Sequence, residues 1–404
     1  MVNSESKRGI RATSNEQRIW ENILSQVAIV KCSDYEQRKV DRAVKESLSL
    51  IGGLGKIVKA GQKVLLKVNM VNAHPPEYAA TTHPVLLRAV IKSVKEVGGK
   101  VLVGDSSGMG YENVERTWQV TGLKKAAEEE GARVINFRKV EKIDNYQNKK
   151  VPILHLAGEV LESDVVVSLP KLKTHSFTLF TGAIKNLYGC IPGFHKKELH
   201  RLAPRPEDFA RLMIEIFSVI KPNLTVMDGI VGMEGDGPTG GLPRKIGVVL
   251  ASQDFVALDA VASHIIGYAP FDIDITRVAA ERDLGEGRLD KIEIKGTSLD
   301  EVKISDYQLA SNINTLLRKL PGFILFAFRH LAPSMLKIRP AIDKDRCTKC
   351  GECIRHCPSE AMKMGEDCPI IDNKACIKCF CCQEFCLERA VGIKYNWLAK
   401  RFQI

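Results

Sequence analysis

Residues 63–71 read Lys63-Val-Leu-Leu-Lys-Val-Asn-Met-Val71, and two further stretches follow at helical distance: Thr82-His-Pro84 and Val101-Leu-Val-Gly-Asp-Ser106. The first is a near-continuous hydrophobic run of the kind a strand buried on both faces requires. Pro84 to Val97 carries helical periodicity, with Thr82 or His83 as cap and a proline in the first turn, where its missing N–H costs nothing. Val101 to Gly104 is the next strand and runs into the loop Asp105, Ser106, Ser107, Gly108. The same alternation continues outward: a helix over 114–130, strands over 133–137 and 165–169, and a helix over 209–220. Strands over 224–227 and 246–250 and a helix over 255–266 complete it. This order predicts an α/β fold, a mostly parallel sheet with helices on both faces. Ligands of such sheets sit beyond the carboxyl ends of the strands, which selects the loops after residues 71, 104, 169 and 228. The α/β domain is expected over 26–310, preceded by a flexible arm over 1–25.

Composition bounds the rest. The chain has 404 residues, 45% hydrophobic and 26% charged, with 31 glycines and 17 prolines, which excludes collagenous and low-complexity classes. It carries 59 Lys+Arg against 48 Asp+Glu, a formal charge of +11, and 12 cysteines. The excess charge is local. Residues 171–205 hold seven basic residues against one acidic, Glu198, and 307–342 hold five basic residues and no acidic one. The second of these segments surrounds the apolar run Phe323 to Phe328 and reads as a basic apolar linker over 311–340. A general polyanion-binding surface is therefore disfavoured against one basic pocket and one basic linker. No stretch reaches about 18 consecutive apolar residues and residues 1–13 lack a signal-peptide core, so a cytoplasmic location is expected.

Ten of the twelve cysteines fall between Cys347 and Cys386. Disulfide staples would be spread through the chain; ten in forty residues point to a metal module. Cys347, Cys350, Cys353 and Cys357 are spaced x2, x2, x3, and adding 29 gives Cys376, Cys379, Cys382 and Cys386. Ile342-Asp343 repeats as Ile371-Asp372, and Ala361 as Ala390. An internal duplication with four cysteines per copy is the bacterial two-cluster ferredoxin pattern, in which the fourth cysteine of each run crosses to the other cluster. One [4Fe-4S] cluster is thereby assigned to Cys347, Cys350, Cys353 and Cys386, and the other to Cys357, Cys376, Cys379 and Cys382. Zinc knuckles use pairs of C-x-x-C and have no use for a third cysteine at x2 in both copies. Cys386 is followed by Leu387 rather than proline, which affects the turn and removes no ligand. Cys368 and Cys381 lie outside the set, and Cys381 reads as a packed thiol. The expected module over 341–397 is a small α+β ferredoxin-like, two-cluster unit. With all four ligands of each cluster supplied by cysteine, low-potential one-electron transfer is favoured over Lewis-acid chemistry.

Several stretches of the large domain resemble the domain-of-unknown-function family 362, whose members often end in a ferredoxin-type module. They are Lys67-Val-Asn69, Thr82-His-Pro84, Val103-Gly-Asp-Ser106, Leu169-Pro-Lys-Leu-Lys-Thr-His175, Gly182-Ala-Ile-Lys-Asn-Leu-Tyr-Gly189, Met227-Asp-Gly229 and Ser252-Gln-Asp-Phe-Val-Ala-Leu-Asp259. The resemblance implies an iron–sulfur protein with an α/β domain of uncharacterised activity, and it supplies no reaction.

The residues themselves suggest where a ligand sits. Lys171, Lys173, Thr174 and His175 follow the strand that ends at Pro170, and Lys185 and Asn186 lie a short turn further, beside Gly189, Pro192 and Gly193. Lysines, a hydroxyl and glycine-freed N–H groups make an anion site for phosphate or carboxylate, against the bland reading of a solvated basic loop. The interleaved Leu172, Phe177, Leu179, Phe180, Ile184 and Leu187 favour a partly buried segment. Asp105 and Asp228 join the set from their strand ends, with Lys173, His175 and Lys185 as the catalytic candidates. A second loop, 228–241, holds six glycines with Asp228, Glu234 and Asp236, a candidate for a hard cation or for close approach to a cofactor. Asp254 reads as a helix cap, Asp259 has no ready surface role, and His155, His264 and His330 read as structural.

Nicotinamide, nucleotide-hydrolase and serine-triad motifs are absent. Two functions stay open: an iron–sulfur oxidoreductase delivering electrons to an anionic small molecule held by the α/β domain, or a non-catalytic carrier or scaffold docking a partner oxidoreductase. Either implies a redox partner protein. No recognised nucleic-acid module accompanies Phe177, Phe180, Tyr188 and Phe194, which disfavours that class. The basic linker leaves a peripheral membrane contact as an alternative to packing on the large domain.

Overall fold

The computed structural model describes residues 25–107, 114–145, 148–310 and 338–396. The arm over 1–24, His330 and the linker up to residue 337 lie outside them.

The strands of the large unit are β1 (Gln26–Lys31), β2 (Lys63–Val68), β3 (Lys100–Asp105), β4 (Arg133–Asn136), β5 (Val140–Asp144), β6 (Ile153–Ala157), β7 (Val165–Leu169), β8 (Lys171–His175), β9 (Leu179–Thr181), β10 (Leu224–Glu234), β11 (Leu242–Ser252) and β12 (Glu293–Gly296). The main sheet runs β12-β1-β11-β10-β7-β2-β3-β4, with β8 and β9 attached beside β10; β5 and β6 form a separate hairpin. From β10 through β4 every neighbour pair is parallel, and β11 is antiparallel to both β1 and β10.

Strand alternation splits the core in two. Val27, Ile29, Leu65, Val166, Met227 and Leu250 face the helices Pro206–Ile220, Phe255–Ile265 and Asp274–Glu281. Ala28, Val30, Val64, Leu66, Val167 and Val226 face Gln37–Leu50, Pro84–Glu96 and Leu123–Glu129. Both faces are thus covered by helices, as expected for a sheet of this kind. His83 caps its helix by accepting the Val85 N–H at 3.2 Å, and Asp254 caps the next by accepting that of Ala257 at 2.9 Å.

Three expectations change. The helix over 114–130 is two, Val114–Val120 and Leu123–Glu129, broken at Gly122 in the left-handed region. The chain does not open into a loop after Pro170. Lys171–His175 is a fully buried strand, because its backbone pairs with β10 on one side and β9 on the other. Likewise β10 continues to Glu234, so the glycine-rich loop shrinks to residues 235–241.

The C-terminal module pairs β13 (Ile338–Ile342) with β16 (Val391–Tyr395), and β14 (Met362–Met364) with β15 (Pro369–Ile371). Its backbone repeats with the period of 29. Left-handed φ values recur at Lys349 and Lys378 (57° and 59°), Gly351 and Phe380 (78° and 61°), and Glu360 and Arg389 (both 52°). The Asp372 N–H donates to Ala361 O at 2.8 Å, and the Asp343 N–H to Ala390 O at 2.7 Å. The duplication in sequence is therefore a duplication in conformation.

Candidate functional site

The carboxyl ends of β2 and β3 converge with β8 and β9 on a pocket of about 90 Å³. Its floor is an ion pair: Lys67, at the end of β2, lies 3.0 Å from Asp105, at the end of β3, and both are fully buried. Lys67 Nζ also donates to Val68 O (2.6 Å) and to Asn186 Oδ1 (3.3 Å), while Asp105 accepts the N–H groups of Met70 (2.8 Å) and Ser106 (2.6 Å). A side chain at Gly189 would come within 2.5 Å of both Asp105 Oδ1 and Lys67 Nζ, so only glycine fits above this pair.

Four more lysines reach the wall, of which Lys197 is held by Arg355 O (3.3 Å) in an exposed bond and the other three lie deeper. Lys173 projects from β8 and donates to Ala80 O at 2.5 Å. Lys185 comes from the short helix Ala183–Asn186 and passes 5.9 Å from the centre of the Phe209 ring. Lys196, from His195–Leu202, donates to Ser106 O and to Ser106 Oγ (2.6 Å). Burial pushes all three ammonium groups down, Lys173 further by its neighbour Lys185 and Lys196 to about 8. Asp259, buried in the helix Phe255–Ile265, accepts the N–H groups of Ala183 (2.6 Å) and Ile184 (3.2 Å), and so holds the start of the helix that carries Lys185 and Asn186. That is the role missing from the sequence reading. Its carboxyl is pushed up to about 7 by burial.

The opposite wall comes from the C-terminal module. The helix Cys381–Glu384 contributes Cys381 and Glu384, and Phe385 and His356 complete the wall. Asn72 donates to Glu384 O at 2.9 Å, Ser176 to Gln383 Oε1 at 3.2 Å, and Arg389 to Thr239 O (3.1 Å) and Gly241 O (2.9 Å). The loop 235–241 is thus a seat for this module. The acids expected of a longer loop lie in β10 and do not converge as a cation site: Asp228 pairs with Lys171, and Glu234 accepts the Gln308 N–H at 3.1 Å. Among the described residues no group of three or more His, Cys, Asp or Glu side chains is arranged around a single ion.

The candidates from sequence are divided by this geometry. Lys173, Lys185, Asn186 and Asp105 line the pocket. Lys171 does not: it is locked by Asp228 (2.6 Å), Tyr35 Oη (2.9 Å) and Val231 O (3.1 Å) in a separate buried cluster. Thr174 donates to Met233 O at 3.1 Å, away from the pocket. His175 sits behind the wall, its Nε2 3.1 Å from Glu384 Oε1, in ion-pair range but off the line of a linear hydrogen bond. Lys67, Lys196, His200 and Glu384 escaped the sequence reading as ligand-site residues. Lys67 was visible as the polar residue inside an otherwise apolar strand; Glu384 had no signal, because its partners are remote in sequence.

The cysteines of the module form two groups. Cys353 is pushed up to about 11 by burial and by the neighbouring Cys386, Cys350 and Cys347. Cys357, Cys376, Cys379 and Cys382 line one apolar cavity. Ala361 N donates to Cys357 Sγ at 3.3 Å and Ala390 N to Cys386 Sγ at 3.2 Å, equivalent bonds in the two repeats of the kind that support a ligating sulfur. Soft thiolates crowded in this way fit an iron–sulfur cluster, whose cations offset the mutual repulsion. Cys381 faces the lysine pocket instead, and all the cysteines are free of disulfides.

A family model described as Domain of unknown function (DUF362) matches residues 64–264, and one described as 4Fe-4S binding domain matches 340–363. A thylakoid-associated protein of Synechocystis sp. is 32% identical over 267 residues, 65% of this chain and 80% of that protein. The lactate racemase apoprotein from Thermoanaerobacterium thermosaccharolyticum aligns at 15% identity and a TM-score of 0.36, over 58% of this chain and 55% of that one, which bears on neither substrate nor reaction. No helix among the described residues is long and apolar enough to cross a membrane. With a match over the body of the sheet, a four-iron motif in the module and a relative aligned along most of its length, the chain belongs to the DUF362 family and carries a 4Fe-4S binding domain.

Proposed function

We propose that the protein is an iron–sulfur oxidoreductase built of an α/β domain (26–310) and a two-cluster ferredoxin domain (341–397). In this reading Cys347, Cys350, Cys353 and Cys386 hold one [4Fe-4S] cluster, and Cys357, Cys376, Cys379 and Cys382 hold a second. When bound, the clusters supply one-electron transfer at low potential, drawing on a redox partner protein. The anionic substrate or cofactor lies in the lysine pocket, where Lys173, Lys185 and Lys196 bind and orient it and Asn186 fixes Lys67. His175 is a positioning residue that braces Glu384.

One observation carries the reading: the helix Cys381–Glu384, which contains Cys382 and lies just ahead of Cys386, is itself a wall of the pocket. A ligand there is separated from cluster-bearing backbone by the thickness of a side chain. Anaerobic purification with iron and sulfide analysis tests the clusters, with about eight irons per chain expected. Cys353→Ser should lower that count and abolish turnover, while Cys381→Ser should leave it intact. Full turnover after cluster loss would sink the proposal.

A second reading, a carrier without chemistry of its own, is favoured by exposed Met364 (47%) and Ile370 (62%) on the β14–β15 hairpin, an apolar spot suited to a protein partner. Mass spectrometry of the native protein separates the two: a retained small molecule supports the enzyme, and its absence together with partner-dependent electron transfer supports the carrier. The same proposal puts the chain in the cytoplasm. The thylakoid association of its relative offers a membrane surface instead, and cell fractionation decides.

A further inference from the structure

Charge and hydrogen bonding are both left incomplete inside the pocket. Asp105 neutralises Lys67 in place. Lys173, Lys185 and Lys196 remain inside, facing the single carboxylate of Glu384, and Lys197 joins them where its Nζ donates to Arg355 O in an exposed bond. Lys173 and Lys196 are held by neutral oxygens, of Ala80 and of Ser106. Lys185 makes no hydrogen bond to any described residue, although its stem is fixed in a helix whose start is capped by Asp259.

Around these cations, three buried polar atoms of lining residues also lack partners: Asn69 Oδ1, Thr181 Oγ1 and His200 Nδ1. Buried polar atoms are ordinarily satisfied, so a group of orphans around one cavity marks the place of a polar ligand. All three come from the large unit, opposite the wall that the module supplies with Cys381, Glu384 and Phe385.

We infer that this pocket binds a small dianion, a phosphate monoester or a dicarboxylate, with Lys185 as its main cation and Lys173 and Lys196 beside it. The inference rests on the reading of the pocket as the substrate or cofactor site and specifies the charge and size of its occupant. The three inner ammonium groups against one carboxylate leave two positive charges to be matched, and the more exposed Lys197 adds to them. A cavity of about 90 Å³ is smaller than the roughly 150 Å³ that holds a benzene, which limits the buried part of the ligand to the anionic head and a few further atoms. Burial alone works against the charged form of these lysines, and an anion among them reverses that cost.

Isothermal titration calorimetry on the cluster-loaded protein tests this, with inorganic phosphate, succinate and chloride as probes. A dianion should bind at one site, and chloride roughly 10-fold more weakly or worse. Lys185→Met should weaken the dianion roughly 10- to 100-fold, and Lys185→Arg should restore most of the loss, with the cluster absorption spectrum unchanged in both as a control for folding. Phosphate without succinate identifies an ester, and the reverse an organic acid. Should Lys185→Met not fold, the comparison of dianion with chloride on the unaltered protein stands by itself. Equal affinity for chloride, or full affinity in Lys185→Met, overturns the inference. So does failure of both dianions while the iron count stays near eight, a result that leaves the redox reading standing; that reading falls only with the iron count and the turnover test.

Discussion

His175 Nε2 at the end of β8 lies 3.1 Å from Glu384 Oε1 in the C-terminal module, joining the two halves of the molecule behind the pocket. The ring is neutral, its pKa pushed down to about 3 by burial and by Lys185. Its Nδ1 accepts the N–H groups of Phe177 (3.1 Å) and Thr178 (3.4 Å), so the proton sits on Nε2, facing the carboxylate. Burial opposes the charge of Glu384, yet the contact with His175 and the fields of Lys185 and His200 hold it below the usual carboxylate range. Removing the carboxylate should loosen the docked module. Glu384→Ala is expected to cost about 1–3 kcal/mol and to speed hydrogen exchange in Cys381–Glu384 and in residues 235–241. Glu96→Ala, which breaks a pair with Lys45 in which both side chains are more than half exposed, should cost about 0–1 kcal/mol. Unchanged exchange in Glu384→Ala would remove the anchor from the account.

Lys171 and Asp228 are both fully buried, 2.6 Å apart, and their task is structural. Lys171→Met strands a buried carboxylate and should cost roughly 3–5 kcal/mol in urea melts. The double variant Lys171→Met, Asp228→Leu leaves no charge unpaired and should recover most of that loss. Its affinity for pocket anions should match that of the unaltered chain; a large drop would return Lys171 to the binding site.

The contrast between Lys171 and Lys173 shows how far sequence carries. Hydrophobic runs and helix caps at Lys63–Val68, His83 and Asp254 are local signals, and the structure follows them. The duplication by 29 is equally local, and it reappears in paired backbone angles. The anion cluster around 171–186 was legible as a cluster, but not as two separate sites. Lys171 and Lys173 lie on one face of β8, and only the partners on that face, Asp228 for one and the open pocket for the other, tell them apart. Pro170 looked like the end of a strand because proline cannot donate to a ladder. The chain resumes pairing one residue later with β10, a pairing set by tertiary contact. Glu384 was invisible for the same reason: its meaning depends on a module docked from the far end of the chain.

Asp259 makes stability depend on pH in an unusual direction. No cation pairs with it among the described residues, and its folded pKa near 7 stands above the unfolded value of 3.8. A raised acid contributes stability below the unfolded pKa and loses it as pH rises through the folded one. Stability should therefore fall between about pH 4 and 7, by on the order of 4 kcal/mol at most from this group. Asp259→Asn should flatten that part of the profile in thermal melts. A profile of unchanged slope would mean that the carboxylate is ionised in the fold.

Gly189 tests the floor of the pocket. An added Cβ meets Asp105 Oδ1 at 2.3 Å and Lys67 Nζ at 2.5 Å, and both groups are held where they are by each other and by hydrogen bonds to Val68 O and the N–H groups of Met70 and Ser106. Gly189→Ala should cost about 1–3 kcal/mol by overpacking and reduce anion binding. Gly55, with nothing within 4 Å of an added Cβ, is the control, and Gly55→Ala should stay within about 0.5 kcal/mol. Equal effects at the two positions would show that the pocket floor yields.

Lys196 links ligand binding to protons. Burial first, and then the field of Lys67, lower it to about 8, although Asp105 pulls the other way. Near that pH the ammonium of the unliganded protein is about half populated. An anion beside it favours the charged form and raises its pKa, so binding draws a proton from solution. Calorimetry at pH 8 in buffers of different ionisation heat should show Lys196 contributing an uptake approaching half a proton. At pH 6 the group is already charged, and its contribution should vanish. Lys196→Gln should remove the same increment at pH 8 while keeping the remainder due to Lys173 and Lys185, whose ammonium groups burial also lowers. Proton release instead of uptake would mean that the anion is not seated beside these lysines.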